Sequence, residues 1–371
     1  MVVKLQLPPV IQIGAGASLG AAAECRRLGI RRPLLVVDPS LREPAAAGAL
    51  REALPVAEFA GVTPDPDLEV VEQGLAALRA HGGDGVVALG GGSAIDAAKA
   101  MAILATNAGP LAQYMGYHKI PAPGLPLIAI PSTAGTGSEA TRITIITDRG
   151  RNVKMMILDG HLLPAVALVD YELSLSMPAA LTAAVGIDSL THALEAYVSR
   201  KASAFSDALA LQAGAWIVPH LRRAWADAGD RAAKEAMMTG AMLGGMAFSN
   251  ASVALVHGMS RPLGAYFHIP HGLSNAMLLP AVTRFSLPGA PERYAAFAAH
   301  TGLGGDVVGA LEAFNRDLRV PTLREYGVEA GAFRAVMEQM AADALESGSP
   351  GNNPRVPTQG EIVGLYEEVF G

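Results

Sequence analysis

The sequence predicts an α/β N-terminal domain built on a mostly parallel sheet, residues 1–177, followed by an all-α C-terminal domain, residues 178–371. Three observations lead there. Short β-branched runs alternate with longer helical patterns through the first half, as in sheets covered by helices. Loops of glycine and other small residues follow two of those runs. After Pro178 the strand pattern stops, and apolar residues recur only at helical spacing.

The chain has 371 residues, enough for two cores. Hydrophobic residues make up 51% of it and mean hydropathy is +0.31, but much of the excess is alanine. No apolar run approaches the roughly 20 residues a membrane-spanning helix needs, so no membrane partner is expected. A net charge of −6, with no Lys/Arg run, excludes a nucleic-acid footprint. The first residues lack a long apolar segment ending in a small-residue cleavage site, and the single cysteine, Cys25, has no partner within the chain; both suit a reducing cytoplasm.

In order, residues 34–38 read as a buried strand, 41–54 as helix, 56–62 as strand and 68–81 as helix. Residues 85–89 form another strand that runs into Gly90-Gly91-Gly92-Ser93, with Ser93 expected as the N-cap of a helix over 94–105. Strands over 126–130, 141–147 and 165–170 complete the first half. Helices are expected over 179–199, 203–228, 232–248, 276–285, 291–300, 307–318, 333–345 and 361–370. Pro178 suits the first turn of the first of them. The Gly/Pro/Asn-rich stretch 347–357 reads as a surface loop.

Two glycine-bearing loops at strand ends make a dinucleotide-binding crevice plausible. Glycines let the backbone approach a phosphate, which the N–H groups of the next helix can hold. Gly90 to Ser93 is one such loop, and Pro131 to Glu139 the other. Taken alone, the first is equally a flexible strand-to-helix turn. A rival phosphate loop, Gly14 to Gly20, follows a strand-like run and precedes a helical one. Under either reading Asp38, at the end of the next strand, can accept from ribose hydroxyls and would repel a 2'-phosphate, favouring NAD; its bland reading is a solvated turn-opening aspartate.

In the C-terminal half Asp188 and His192 stand four apart in a helical pattern and so share a face. His257, His268 and His271 follow in two glycine-flanked clusters. The other histidines, His81, His118, His161, His220 and His300, have no partner at ligand spacing. One Asp with three His suits Fe2+ or Zn2+, and ligand type does not choose between them.

Gly90 to Lys99, Pro131 to Thr141, Gly186 to Ser199 and His257 to His271, in order and spacing, resemble the iron-containing (group III) alcohol dehydrogenases over nearly the whole chain. The resemblance implies metal ligands at Asp188, His192, His257 and His271. It implies dinucleotide contacts at Asp38, Gly91, Gly92, Ser93, Asp96, Thr133, Thr136 and Lys154, with Gly14 to Gly20 reduced to a structural turn. Phe248 matches a position that often lines the alcohol pocket. By the same likeness the first domain binds NAD, the second holds the metal and does catalysis, the substrate is a small alcohol or aldehyde, and the protein is a homo-oligomer such as a dimer.

Two departures stand out. Where many members carry a histidine four residues after the third ligand, this chain has Arg261; His268 could supply the missing imidazole, or Arg261 could bind an anionic substrate group. Pro64-Asp65-Pro66 replaces the usual Pro-Asn-Pro. The expected reaction is hydride transfer between a short primary alcohol and NAD, assisted by the cation. Three alternatives stay open: a metal-independent reductase of an oxo acid, like the maleylacetate reductases; a lyase of the dehydroquinate synthase kind; and a non-catalytic dinucleotide sensor.

Overall fold

The structure is a computed structural model that describes residues 4–41, 45–151 and 153–370. The described chain forms two compact units, residues 4–176 and 177–370.

The first unit contains nine strands and four α-helices among the described residues: β1 (Val10–Ile13), α1 (Ala21–Leu28), β2 (Pro33–Val37), α2 (Ala45–Ala53), β3 (Ala57–Phe59), α3 (Leu68–His81), β4 (Gly85–Gly90), α4 (Gly92–Leu104), β5 (Gly116–Tyr117), β6 (Leu127–Pro131), β7 (Ile143–Asp148), β8 (Val153–Leu158) and β9 (Val166–Val169). Six strands make one sheet in the order β1-β9-β6-β4-β2-β3, every pair parallel. Alternate side chains explain why its strands read as continuous apolar runs. Leu34, Val36, Val86 and Ala88 enter one core together with α3 and α4, while Leu35, Val37, Val87 and Leu89 enter another with α1 and α2. A sheet covered on both faces has no polar side to show.

The predicted α/β class is thus realised, with local differences. Strand 56–62 shrinks to β3, at the sheet edge, where pairing on one side gives less reason to stay extended. Positions 42–44 of the helix expected over 41–54 lie outside the described residues. A second sheet, β5-β8-β7, takes the strand expected over 141–147 as β7 and adds β5 and β8, which the periodicity did not suggest; β8 pairs antiparallel with β7, Thr147 opposite Lys154.

The second unit is helical: α5 (Ala179–Val198), α6 (Ala204–Ala226), α7 (Arg231–Ala251), α8 (Leu255–Phe267), α9 (His271–Ser286), α10 (Pro291–Thr301), α11 (Val307–Asp317), α12 (Ala330–Glu346) and α13 (Gln359–Phe370). Pro178 is the N-cap of α5 rather than its first residue. Helix α5 is buried nearly all round and packs against α6, α7 and α9. Burying Ile187, Leu190 and Leu194 there stabilises the fold by about 1.5–3 kcal/mol each.

Helix α8 was not expected, and α9 starts five residues before the predicted 276. Gly258, Pro262 and Gly264 interrupt the helical pattern of α8, and Pro262 removes a backbone donor from its interior. Packing overrides that local preference. The 347–357 stretch is also less exposed than expected. Ser349, Asn352 and Asn353 are buried, and Asn353 donates to Ser286 Oγ at 2.8 Å. Among the described residues no single helix is long and apolar enough to cross a membrane.

Candidate metal centre and cofactor loops

In the first unit the chain passes from β2 outward to β3, then back to β4 on the other side of β2. Ligands of such sheets bind beyond the carboxyl ends of the strands where this reversal occurs. Asp38 lies directly after β2, and its N–H donates to Leu89 O at 2.9 Å; Ser132 N–H donates to Gly90 O at 2.9 Å. The ends of β2, β4 and β6 therefore lie side by side. Gly91, not Ser93, is the N-cap of α4, so the helix begins directly at the strand end. A Cβ at Gly92 would meet Thr136 Cγ2 at 2.6 Å, and one at Gly91 would meet Thr133 Cγ2 at 3.3 Å. The glycines thus let the two loops nest as well as bare the backbone.

Asp38 Oδ1 accepts from Ser40 N–H at 2.9 Å, so its turn-opening role is present. Asp96 is committed inward: Oδ1 accepts from Ser138 Oγ at 2.6 Å and Oδ2 from Ile145 N–H at 2.9 Å. Lys154 Nζ pairs with Asp65 Oδ1 at 2.9 Å. Asp65 has φ 52, a left-handed conformation that Asn and Asp tolerate best. Below the loops, buried Lys99 donates to Ser138 Oγ, Thr141 O, Thr141 Oγ1 and Ile143 O at 2.7–3.0 Å. Burial pushes its ammonium down to about 8 against the opposing charges of Asp96 and Glu139, and burial pushes Glu139 up to about 7. The loop Gly14 to Gly20 follows the edge strand β1, far in strand order from the reversal. Its Ser18 Oγ donates to Asp170 Oδ2 at 2.6 Å, which makes it a structural turn.

In the second unit three helices bring together the four predicted ligands. Asp188 and His192 project from one face of α5, His257 from the first turn of α8, and His271 is the first residue of α9. One ligand atom from each lies within 4.8 Å of the other three. Asp188 Oδ1 is 3.8 Å from His192 Nε2, 3.6 Å from His257 Nε2 and 3.9 Å from His271 Nε2. One carboxylate and three imidazoles whose ligand atoms lie this close together would hold a divalent cation between them. Close approach of α9 to α5 is what Gly272 permits, because a Cβ there would meet Ala184 O at 2.8 Å.

The electrostatics fit a cation. Burial works against the Asp188 carboxylate, yet His192, His271 and His257 outweigh it and hold the group well below the usual carboxylate range. Burial likewise works against a charged His257, and the carboxylates of Glu195 and Asp188 reverse it and raise the ring above its ordinary value. Asn275, fully buried on α9, puts its amide Nδ2 where these acceptors converge: 2.7 Å from Asp188 Oδ1, 3.2 Å from His257 Nε2 and 3.3 Å from His271 Nε2. Its Oδ1 is buried with no hydrogen-bond partner among the described residues, a cost of about 1–3 kcal/mol. Acceptors that gather around the positive NH2 end of an amide would equally accept a divalent cation, which one carboxylate and three imidazoles could hold.

The comparisons agree with the geometry. A family model described as iron-containing alcohol dehydrogenase matches residues 8–171, and one described as the C-terminal part of the Fe-containing alcohol dehydrogenase family matches residues 182–370. The chain belongs to the iron-containing alcohol dehydrogenases. It is 38% identical to a 1,3-propanediol dehydrogenase of Klebsiella pneumoniae, covering 98% of each chain. It is 37% identical to an NAD-dependent methanol dehydrogenase of Bacillus methanolicus, covering 98% of this chain and 99% of that one. A crystal structure of a 1,3-propanediol oxidoreductase superposes over 100% of both chains with a TM-score of 0.95 and 36% identity.

Within this family member the remaining candidates are placed as follows. Phe248, on α7, stacks on the His192 ring with centroids 4.2 Å apart, so it bears on a candidate ligand directly. Arg261 donates to Ser349 Oγ at 3.0 Å. His268 is exposed at the C-cap of α8 in a left-handed conformation. Two residues at the centre escaped the sequence reading, Glu195 and Asn275. Each had a signal: Glu195 lies three positions after His192, and Asn275 four after His271, on the same helix faces.

The nested loops carry a prediction. Gly92→Ala forces Thr136 and its loop to move, at about 1–3 kcal/mol, so affinity for NAD is expected to fall roughly tenfold or more. Calorimetric titration with NAD checks this, and an unchanged Kd would refute the role of the nesting.

Proposed function

We propose that this enzyme interconverts a short-chain primary alcohol or diol and its aldehyde by hydride transfer, with NAD as the hydride carrier and Fe2+ as the resident ion. The observation that carries the reading is the convergence of Asp188, His192, His257 and His271 within 4.8 Å. The names of the similar propanediol and methanol dehydrogenases support the substrate class and NAD. A divalent cation, when bound, lowers the pKa of an alcohol oxygen and polarises a carbonyl.

The rest falls to side chains of this chain. Asp188 supplies one negative charge and the three imidazoles none, so these four groups would hold a divalent cation without neutralising it. Phe248 keeps the His192 ring in its plane and gives the site an apolar wall. Hydride transfer further requires NAD to be oriented. The first-turn N–H groups of α4, at Gly92 and Ser93, suit the pyrophosphate, with Thr133 and Thr136 beside them. Asp38, whose Oδ2 is left over from the Ser40 turn, suits the adenosine ribose. Asp96 supports these loops through Ser138, and Lys154, paired with Asp65, is the remaining candidate for a cofactor contact. His268, exposed, is the group to exchange the alcohol proton with solvent; Arg261, turned to Ser349, is the weaker candidate.

The test is a panel of C2 to C6 primary alcohols, diols and aldehydes, assayed with NAD and NADP after stripping the protein and reloading it with Fe2+ or Zn2+. Metal-dependent NADH production from a primary alcohol, with NAD favoured over NADP, is expected. Reduction of oxo acids with no metal requirement and no alcohol turnover would sink the proposal. The reading extends to a cytoplasmic homodimer, in keeping with the buried, free Cys25; light scattering tests the dimer.

A further inference from the structure

Helix α5 carries a third side chain on the face of Asp188 and His192. Glu195 follows Asp188 by seven positions and His192 by three, and is 3% exposed. Its carboxylate gathers three donors. Oε1 accepts from Val256 N–H at 2.6 Å, and Oε2 accepts from Ala254 N–H at 2.9 Å and from His257 Nδ1 at 2.6 Å. A buried carboxylate needs such company.

The donors come from a segment that cannot hold itself. Helix α8 has Ala254 at its N-cap and no side-chain cap bond of its own. Just before it Ser252 stands at φ 66, ψ 160, a region almost reserved for glycine. The strained turn is clamped from outside: Asn352 Nδ2 donates to Ser252 Oγ and to Val253 O at 3.0 Å, and Ser199 Oγ donates to Ala251 O at 2.6 Å. Glu195 completes the clamp at the residues that lead into His257.

We propose that Glu195 is a positioning residue for the metal site. It accepts the His257 Nδ1 proton in a hydrogen bond, which commits Nε2, 3.6 Å from Asp188 Oδ1, to present its lone pair to the ion. It also caps α8, so one carboxylate sets both the tautomer of the ring and the approach of its helix. A carboxylate that orients a ligating imidazole raises the ligand's basicity and typically contributes ten- to a hundredfold to metal affinity. Glutamine would keep the shape but lose the charge, and its NH2 would face donors.

This inference rests on the metal-binding reading above, and the experiment separates the two. Wild type and Glu195→Gln are stripped and titrated with Zn2+ or Co2+ in competition with a chromophoric chelator, and visible spectra of the Co2+ forms are recorded. The variant is expected to bind ten- to a hundredfold more weakly, with altered ligand-field bands and unchanged affinity for NAD. Equal affinity and identical bands in the two proteins would overturn the role of Glu195 alone. A wild type that binds neither ion would overturn both readings. Should Glu195→Gln not fold, nitrogen-15 resonances of the histidine rings in the Zn2+-loaded wild type decide: a protonated Nδ1 on His257 supports the role, and a protonated Nε2 refutes it.

Discussion

His271→Ala is expected to lose both tight metal binding and turnover while NAD affinity stays within about twofold of wild type. His271 opens α9 and is the most accessible of the four candidate ligands, its side chain 35% exposed against 2% for Asp188 and 4% for His257. Truncating it therefore leaves little strain and no large cavity, so the effect is chemical rather than structural. Removing a direct ligand should cost more than the ten- to hundredfold typical of an outer partner. The loops proposed to hold NAD belong to the Lys4–Ser176 unit and keep their own hydrogen bonds. Metal content after dialysis, turnover and NAD titration check the three parts. Full activity of the variant after chelation would remove the metal from the mechanism.

Lys99→Met is expected to destabilise the protein by about 3–5 kcal/mol, the cost of breaking a buried charge network by removing one partner. Methionine fills most of the volume of a side chain that is 1% exposed, so packing is nearly conserved. What goes is the ammonium that joins Ser138 Oγ, both oxygens of Thr141 and Ile143 O. Asp96 and Glu139 would then stay buried without their shared counter-charge. Since Ser138 bridges Lys99 to Asp96 and sits in the Pro131 to Glu139 loop, NAD affinity should fall with stability. Urea unfolding followed by circular dichroism measures the first effect. A loss under about 1 kcal/mol would show that the network contributes little net stability, as some buried ion pairs do.

The two expectations differ in how visible they were beforehand. Asp188 and His192 could be paired because helical geometry converts a spacing of four into a shared face. Neither Glu195 nor Asn275 could be assigned that way. Each sits at the right interval beside a candidate ligand, but an interval says nothing of the partner, and Glu195 takes its meaning from Ala254, Val256 and His257, some sixty positions on. Helix α8 was hidden for a related reason. Gly258, Pro262 and Gly264 weaken local preference, and tertiary packing, mostly against α9 and α12, makes that stretch helical.

Local pattern alone settled the division into a sheet-bearing half and a helical half, the buried strands β2, β4 and β6, and helix α3 to the residue, because burial on both sheet faces and a period of 3.6 are written in nearest neighbours. Which glycine loop lies at the strand reversal was decided by strand order, with β1 at the edge and β4 beside β2. Convergence of α5, α8 and α9 on one point was likewise decided in three dimensions, since contacts between residues tens of positions apart depend on how helices pack and leave no periodic trace in the chain.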